Sequence, residues 1–193
     1  MATSIYIPPA RELEFLPTPP PFENPAEKRI LEIGTGKGEF ILHQAQTYPR
    51  HQFVGVEIRR GRFTRTAKKA ESLGLQNLFM ILGDARECIT RVFPADTFDQ
   101  VYILFPDPWP KKRHVKHRLI NPLFINTIKK ILKKEGEVFS ATDAGYYSEQ
   151  IVESFTQDKL FSCERIGSLF PTYFENKWKA LGKAINYWKF SKA

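Results

Sequence analysis

Cysteine is scarce in this chain. Two occur in 193 residues, Cys88 and Cys163, far apart and without metal-ligand spacing. That argues against a disulfide framework or a zinc site, and a reduced, cytoplasmic setting is expected. Long apolar runs are missing too: none approaches the roughly 18 residues that a membrane-spanning helix needs. No basic-then-apolar leader opens the sequence, so export is not expected. Internal repeats are absent. No G-K-[ST] follows the one glycine-rich turn, which excludes a triphosphate P-loop. The spacing there is G-x-G-x-G, not the G-x-G-x-x-G of the dinucleotide fingerprint, which argues against a nicotinamide dehydrogenase. Acidic residues are in the minority, 21 against 29 Lys and Arg, for a formal net charge of +8 at pH 7. Such an excess speaks of partners rather than of fold. Nucleic acid is the first polyanion to consider and an anionic membrane surface the second, with a solubilising surplus as the plain alternative.

Proline is plentiful at the start: Pro8, Pro9, Pro17, Pro19, Pro20, Pro21 and Pro25 fall before residue 29. Each fixes φ and removes a donor, so this stretch is read as an extended arm, for packing or for holding RNA. From Arg29 onward strand and helix patterns alternate. Strands are expected at Arg29–Ile33, Gln52–Glu57, Leu78–Leu82, Gln100–Phe105 and Glu137–Ala141. Helices are expected at Glu39–Thr47, Arg60–Leu73, Ala85–Val92, Pro122–Lys134 and Tyr146–Gln157. Phe124, Ile125, Ile128, Ile131 and Leu132 recur at helical spacing within the fourth of these. Alternation of this kind implies parallel βαβ units in one doubly wound domain, 29–193. Two late strands, Leu160–Ile166 and Ala184–Phe190, separated by a polar loop without a helix, predict an antiparallel pair at one edge.

The first strand runs into Gly34-Thr35-Gly36-Lys37-Gly38. A glycine turn between strand and helix lets a ligand approach the backbone closely. Acids stand at three successive strand ends: Glu32, Glu57, and Asp84 beside Ala85. In open α/β sheets those ends converge where ligands bind. A carboxylate at Glu57 can accept both ribose hydroxyls, Asp84 can accept from an adenine amine, and Glu32 from an ammonium. This array suits S-adenosylmethionine, which carries a sulfonium and an ammonium and no phosphate. Each acid taken alone could instead cap the helix that follows it.

The fourth strand delivers Phe105-Pro106-Asp107-Pro108-Trp109-Pro110. Three prolines in five residues stiffen the backbone around one carboxylate, as a positioned group requires. Directly after comes Lys111-Lys112-Arg113-His114-Val115-Lys116-His117-Arg118, a cationic run fit for phosphates. A second basic cluster, Arg59, Arg60, Arg62, Arg65, Lys68 and Lys69, falls on the helix after the second strand, where a solvated face is the simpler reading.

Phe-Pro-Asp-Pro-Trp followed by Lys-Lys-Arg-His-x-Lys resembles the signature of bacterial tRNA (guanine-N7)-methyltransferases. The resemblance spans nearly the whole chain from Arg29. It includes the glycine turn, Val54-Gly55-Val56-Glu57, the Asp84 turn, Ala141-Thr142-Asp143, Thr172-Tyr173-Phe174-Glu175 and Leu181-Gly182. It implies a Rossmann-like class I S-adenosylmethionine-dependent methyltransferase with a mostly parallel seven-stranded sheet and an antiparallel edge pair. The implied activity is methyl transfer to N7 of guanine 46 in the variable loop of tRNA. Carried over, it implies cofactor contacts at Glu32, Gly34, Gly36, Gly38, Glu57, Asp84, Ala85 and Asp107, with Asp107 also catalytic. Lys111, Asp143, Thr172, Tyr173, Phe174 and Glu175 are implied to meet the substrate. Lys112, Arg113, His114, Lys116, His117 and Arg118 are implied to meet RNA, His117 standing where the family usually has arginine. No metal and no membrane are implied, and monomer and homodimer both stay open.

Guanine N7 has a free lone pair and no proton, so no general base is needed before attack. Two rival readings remain. A methyltransferase acting on an exocyclic amine would carry Asn/Asp-Pro-Pro-aromatic after the fourth strand, and here the order is Asp107-Pro108-Trp109. A non-catalytic RNA-binding module would have lost the glycine turn or the strand-end acids, all of which are present.

Overall fold

A computed structural model describes the backbone of residues 4–6 and residues 26–157, 159–169 and 172–193. The prolines of the expected arm, Pro8 to Pro25, lie outside the described residues. Eight strands form one sheet: β1 (Ser4–Tyr6), β2 (Arg29–Ile33), β3 (Gln52–Glu57), β4 (Leu78–Leu82), β5 (Phe98–Leu104), β6 (Leu132–Thr142), β7 (Phe161–Arg165) and β8 (Asn186–Lys192). Their order is β1-β4-β3-β2-β5-β6-β8-β7. The seven strands from β2 onward are the expected sheet, and β1 adds a short parallel strand beside β4. All pairings are parallel except those of β8, which is antiparallel to both β6 and β7.

Among the described residues six α-helices connect the strands: α1 (Glu39–Thr47), α2 (Arg60–Ser72), α3 (Ala85–Val92), α4 (Pro122–Ile131), α5 (Gly145–Thr156) and α6 (Tyr173–Ala180). Two apolar layers flank the sheet. Ile41, Leu42 and Ala45 of α1 and Ala70 of α2 bury one face against Phe53 and Leu78. Residues of α3, α4 and α5 bury the other, with Ile89, Ile128 and Phe155 among those fully removed from water. Strands covered on both faces read as continuous apolar runs, which is why Leu78-Phe79-Met80-Ile81-Leu82 does not alternate.

Two expectations fail here. The fourth helix stops at Ile131 rather than Lys134, because Leu132 pairs with Phe98 and opens β6. Lys192 Nζ donates to the carbonyls of Lys129 and Leu132, placing a cation where the dipole of α4 is negative. The register then shifts between Phe98 and Gln100, a bulge that passes through Glu135 at φ 61°. The linker between the two late strands is also not a plain loop. It contains α6, opened by Thr172 Oγ1 accepting from the Glu175 N–H at 3.2 Å.

Candidate active site

The chain leaves β2 and β5 side by side at the sheet's carboxyl edge, where strand order reverses. That reversal opens a crevice, the usual ligand site of such sheets. A cleft with two adjoining lobes of about 260 and 120 Å³ lies there. Gly34, Arg59, Arg62, Leu104, Phe105 and Asp107 border both lobes.

The smaller lobe is built on the glycine turn. Gly34 lies at φ 78°, a conformation that L side chains rarely adopt, and a Cβ there would point into open space. Gly38, at φ 75°, packs against Thr66, and a Cβ would come within 2.4 Å of its methyl carbon. The N–H of Gly36 donates to Glu57 Oε2 at 2.8 Å, and that of Arg59 to Glu57 Oε1 at 2.8 Å. Glu57 therefore fixes the turn while lining the larger lobe.

Glu32 borders the smaller lobe, is 3% exposed, and its Oε2 has no partner. Burial, with Glu57 adding to it, pushes its carboxyl up from 4.5 to about 8, opposed in part by a backbone hydrogen bond from Ile41. A buried carboxyl whose oxygen faces the lobe suits a cation or a hydrogen-bond donor there.

Asp84 joins Glu57 in the larger lobe and caps α3 by accepting from the Arg86 N–H at 2.9 Å. The expected cap is thus present, in a residue that also faces the cleft. Burial raises its carboxyl, but hydrogen bonds and charge from Arg86, with an ion pair at 2.6 Å, win and hold it below the usual range. Ala85 lines the same lobe.

Asp107 is exposed and stands where the lobes meet. Its segment is more constrained than its prolines alone require: Phe105 lies at φ 52° and Trp109 at φ 42°, both in the left-handed region. Such strain persists only where the surroundings over-determine it, and it clusters at functional sites. The clamp is Arg118. It is 7% exposed, donates to the carbonyl of Pro108 at 2.8 Å and to that of Trp109 at 3.4 Å, and donates again to Gln150 Oε1. It also faces the rings of Tyr146 and Tyr147. Arg118, expected on RNA, is turned inward and holds the Asp107 loop.

Lys112–His117 form a 3₁₀ helix whose side chains, His114 partly excepted, are exposed. Trp109 packs near His114 and His117, with centroids 5.6 and 5.4 Å away, and Trp109 and His117 both reach the larger lobe. Lys111 precedes this helix and is exposed outside both lobes.

The late motif divides. Thr172 and Tyr173 border the smaller lobe. The Tyr173 N–H donates to Glu39 Oε2, and Lys37 Nζ sits 3.3 Å from the Tyr173 ring centroid, tying α6 to the glycine turn. Glu175 faces inward at 1% exposure, accepting from Ser168 and Lys179. Burial raises its carboxyl, but those bonds and the charge of Lys179 hold it below the usual range. Asp143 pairs with Lys183 at 2.7 Å and borders neither lobe. The side chain of Phe174 lies outside the described residues.

Sequence reasoning missed three contributors: Arg59 and Arg62, which it left on a solvated face, and Glu39, which holds α6. Among the described residues no group of three or more potential metal ligands occurs, and no helix is long and apolar enough to cross a membrane.

The profile of a family described as "Putative methyltransferase" matches residues 26–187. A tRNA (guanine-N(7)-)-methyltransferase of Thermotoga maritima is 35% identical over 81% of this chain and 51% of its own length. One of Nitrosococcus oceani is 42% identical over 72% of this chain and 59% of its own. One of Mycoplasmopsis pulmonis is 36% identical over 83% of both. The chain thus spans between half and three-fifths of the first two relatives. TrmN from Thermus thermophilus shares the fold at TM-score 0.63 and 18% identity, over 87% of this chain and 45% of that one. The YcgJ protein from Bacillus subtilis does so at 0.61 and 13%, over 88% and 94%.

Proposed function

This chain belongs to the tRNA (guanine-N(7)-)-methyltransferase family, and we propose on that footing that it methylates N7 of a guanine in tRNA, position 46 of the variable loop, with S-adenosylmethionine as donor. The observation that carries the reading is the placement of Asp107. It stands where the smaller lobe, with Glu32, meets the larger one, which carries Glu57 and Asp84 and is also lined by Trp109 and by His117 of the exposed basic 3₁₀ helix.

The residues present fit the cofactor. The unpartnered Oε2 of Glu32 offers an acceptor to an ammonium, Glu57 and Asp84 line the larger lobe for ribose and adenine donors, and the Gly34 turn leaves backbone room. When bound, S-adenosylmethionine supplies a methyl group that a lone pair can displace from a cationic sulfur. N7 has that lone pair and no proton, so the chain need supply no base. Its work is to hold the base in line and to favour positive charge on the methylated ring. Asp107 is the fixed anion for that charge. Trp109 offers a face for stacking, and Lys111 to His117 offer cations for neighbouring phosphates. A cytoplasmic location follows from the substrate.

The test is incubation with labelled cofactor and unmodified tRNA, followed by mapping of the modified base. Label at guanine N7 is the expected product, whereas label on an exocyclic amine would overturn the reading. Asp107→Asn should lower kcat/KM by roughly 10²–10³. Near-normal transfer would remove Asp107 from the mechanism.

A further inference from the structure

We propose that Arg59 and Arg62, which reach the cleft from the β3 side while Trp109 and His117 reach it from the β5 side, form a phosphodiester-binding subsite on its rim for the RNA strand that carries the target base. The proposal rests on the reading above and names residues that it does not use.

Both arginines are exposed and border both lobes of the cleft, as Asp107 does. The N–H groups of Arg62 and Phe63 donate to the Arg59 carbonyl at 3.0 Å, so Arg59 and Arg62 are one helical turn apart on one face of α2. The N–H of Arg59 is itself tied to Glu57, which fixes where this face begins. Among the described residues no carboxylate lies within ion-pair distance of either guanidinium.

Their position opposes the needs of the helix. Arg59 is the N-cap residue, provides no side-chain cap, and is followed by Arg60 and Arg62 with no acid in the first turn. The start of a helix is its positive end and favours anions. Cations there weaken α2, so helix stability does not account for them. The needs of the cleft do. Its floor carries Glu57 and Asp84, with Asp107 at the junction, an array suited to a cationic ligand that repels a polyanion. An RNA strand presenting a base to Asp107 must bring phosphates over that floor. The 3₁₀ helix supplies cations on the Trp109 side, and Arg59 and Arg62 supply them on the other. Guanidinium groups match phosphate oxygens in a forked geometry.

The shared chemistry is an anionic oxygen group, with two sources: a backbone phosphate of RNA or the carboxylate of the cofactor. The Arg59→Gln/Arg62→Gln double variant separates them. Three quantities are compared with the unaltered protein: cofactor affinity by calorimetry, KM for unmodified tRNA, and the slope of log tRNA affinity against log salt. A phosphate subsite predicts roughly tenfold higher KM and a salt slope shallower by about one to two, with cofactor affinity within twofold. The Arg59→Lys/Arg62→Lys variant should recover most of the slope. Unchanged KM and slope would overturn the proposal, and so would weakening of the cofactor in parallel with the RNA. If the unaltered protein methylates another atom while the slope still responds to the two arginines, the subsite stands and the N7 reading falls.

Discussion

Glu32 sets the terms at the scale of single residues. It is buried beside Glu57 with one oxygen unpartnered, and its carboxyl is pushed up to about 8. Below about pH 4.5 the folded and unfolded chains both carry its proton. As pH rises toward 8 the unfolded chain releases it and the folded chain does not, so this group draws stability down across that window. The effect is on the order of a few kcal/mol. Glu32→Gln should therefore flatten the fall of Tm between pH 5 and pH 8, gaining roughly 5–10 °C at the upper end. It should also cost at least roughly tenfold in cofactor affinity, because a neutral amide holds an ammonium poorly. Thermal scans across pH check the first effect, and a parallel fall of Tm in both proteins would reject it. The strand-end acids were legible in the sequence because each lies at the carboxyl end of a short apolar strand in a βαβ pattern, and those ends share one edge of the sheet. The inward turn of Glu175 and the pairing of Asp143 were not: the first depends on the α6 turn that brings Lys179 alongside Glu175 and on Ser168, and the second on Lys183, forty residues away.

Among the elements, the Phe105–Trp109 segment relies on a neighbour to hold its shape. Its two left-handed residues store strain, and Arg118 ties two of its carbonyls to Gln150 on α5. Arg118→Ala should remove the donor that the Pro108 and Trp109 carbonyls share and let Asp107 drift. A displacement of about 1 Å costs roughly a hundredfold in turnover. Arg118→Lys retains the charge but not the fork and should recover only part of it. The readout is kcat against the KM for tRNA: a positioning role lowers kcat, whereas a surface contact to RNA raises KM alone. Charge patterning placed Arg118 in the RNA set, because a run of eight mostly basic residues gives no sign of which one points inward. The helix α6 was missed for a different reason. Thr172 and Glu175 carry the spacing of a capping box, and only the substrate meaning of that motif was weighed. The early end of α4 could not be read locally, because Lys192 and Phe98 impose it from distant parts of the chain.

On the scale of the whole molecule, charge is sorted by depth. Acids occupy the cleft, while cations occupy its rim and the exposed 3₁₀ helix. Raising salt from 50 to 200 mM should therefore lower tRNA affinity by one to several orders of magnitude while moving cofactor affinity little, since counterion release follows phosphate contacts. Equal sensitivity of both ligands in the same titration would contradict this sorting. The alternating βαβ pattern made the parallel half of the sheet readable, since each crossover leaves a local signature. The position of β8 left none. It follows β7 in sequence, yet it lies between β6 and β7, pairing the outer edge of β6 and supplying the one ladder of β7. A nascent chain that has emerged only as far as β7 thus holds a strand with no partner and leaves the β6 edge bare. Phe155 also waits for Phe190, which stacks on it at 3.9 Å. On the ribosome, closure of this edge has to wait for β8, and until it appears the nascent chain is exposed to the edge-to-edge pairing that finished sheets avoid.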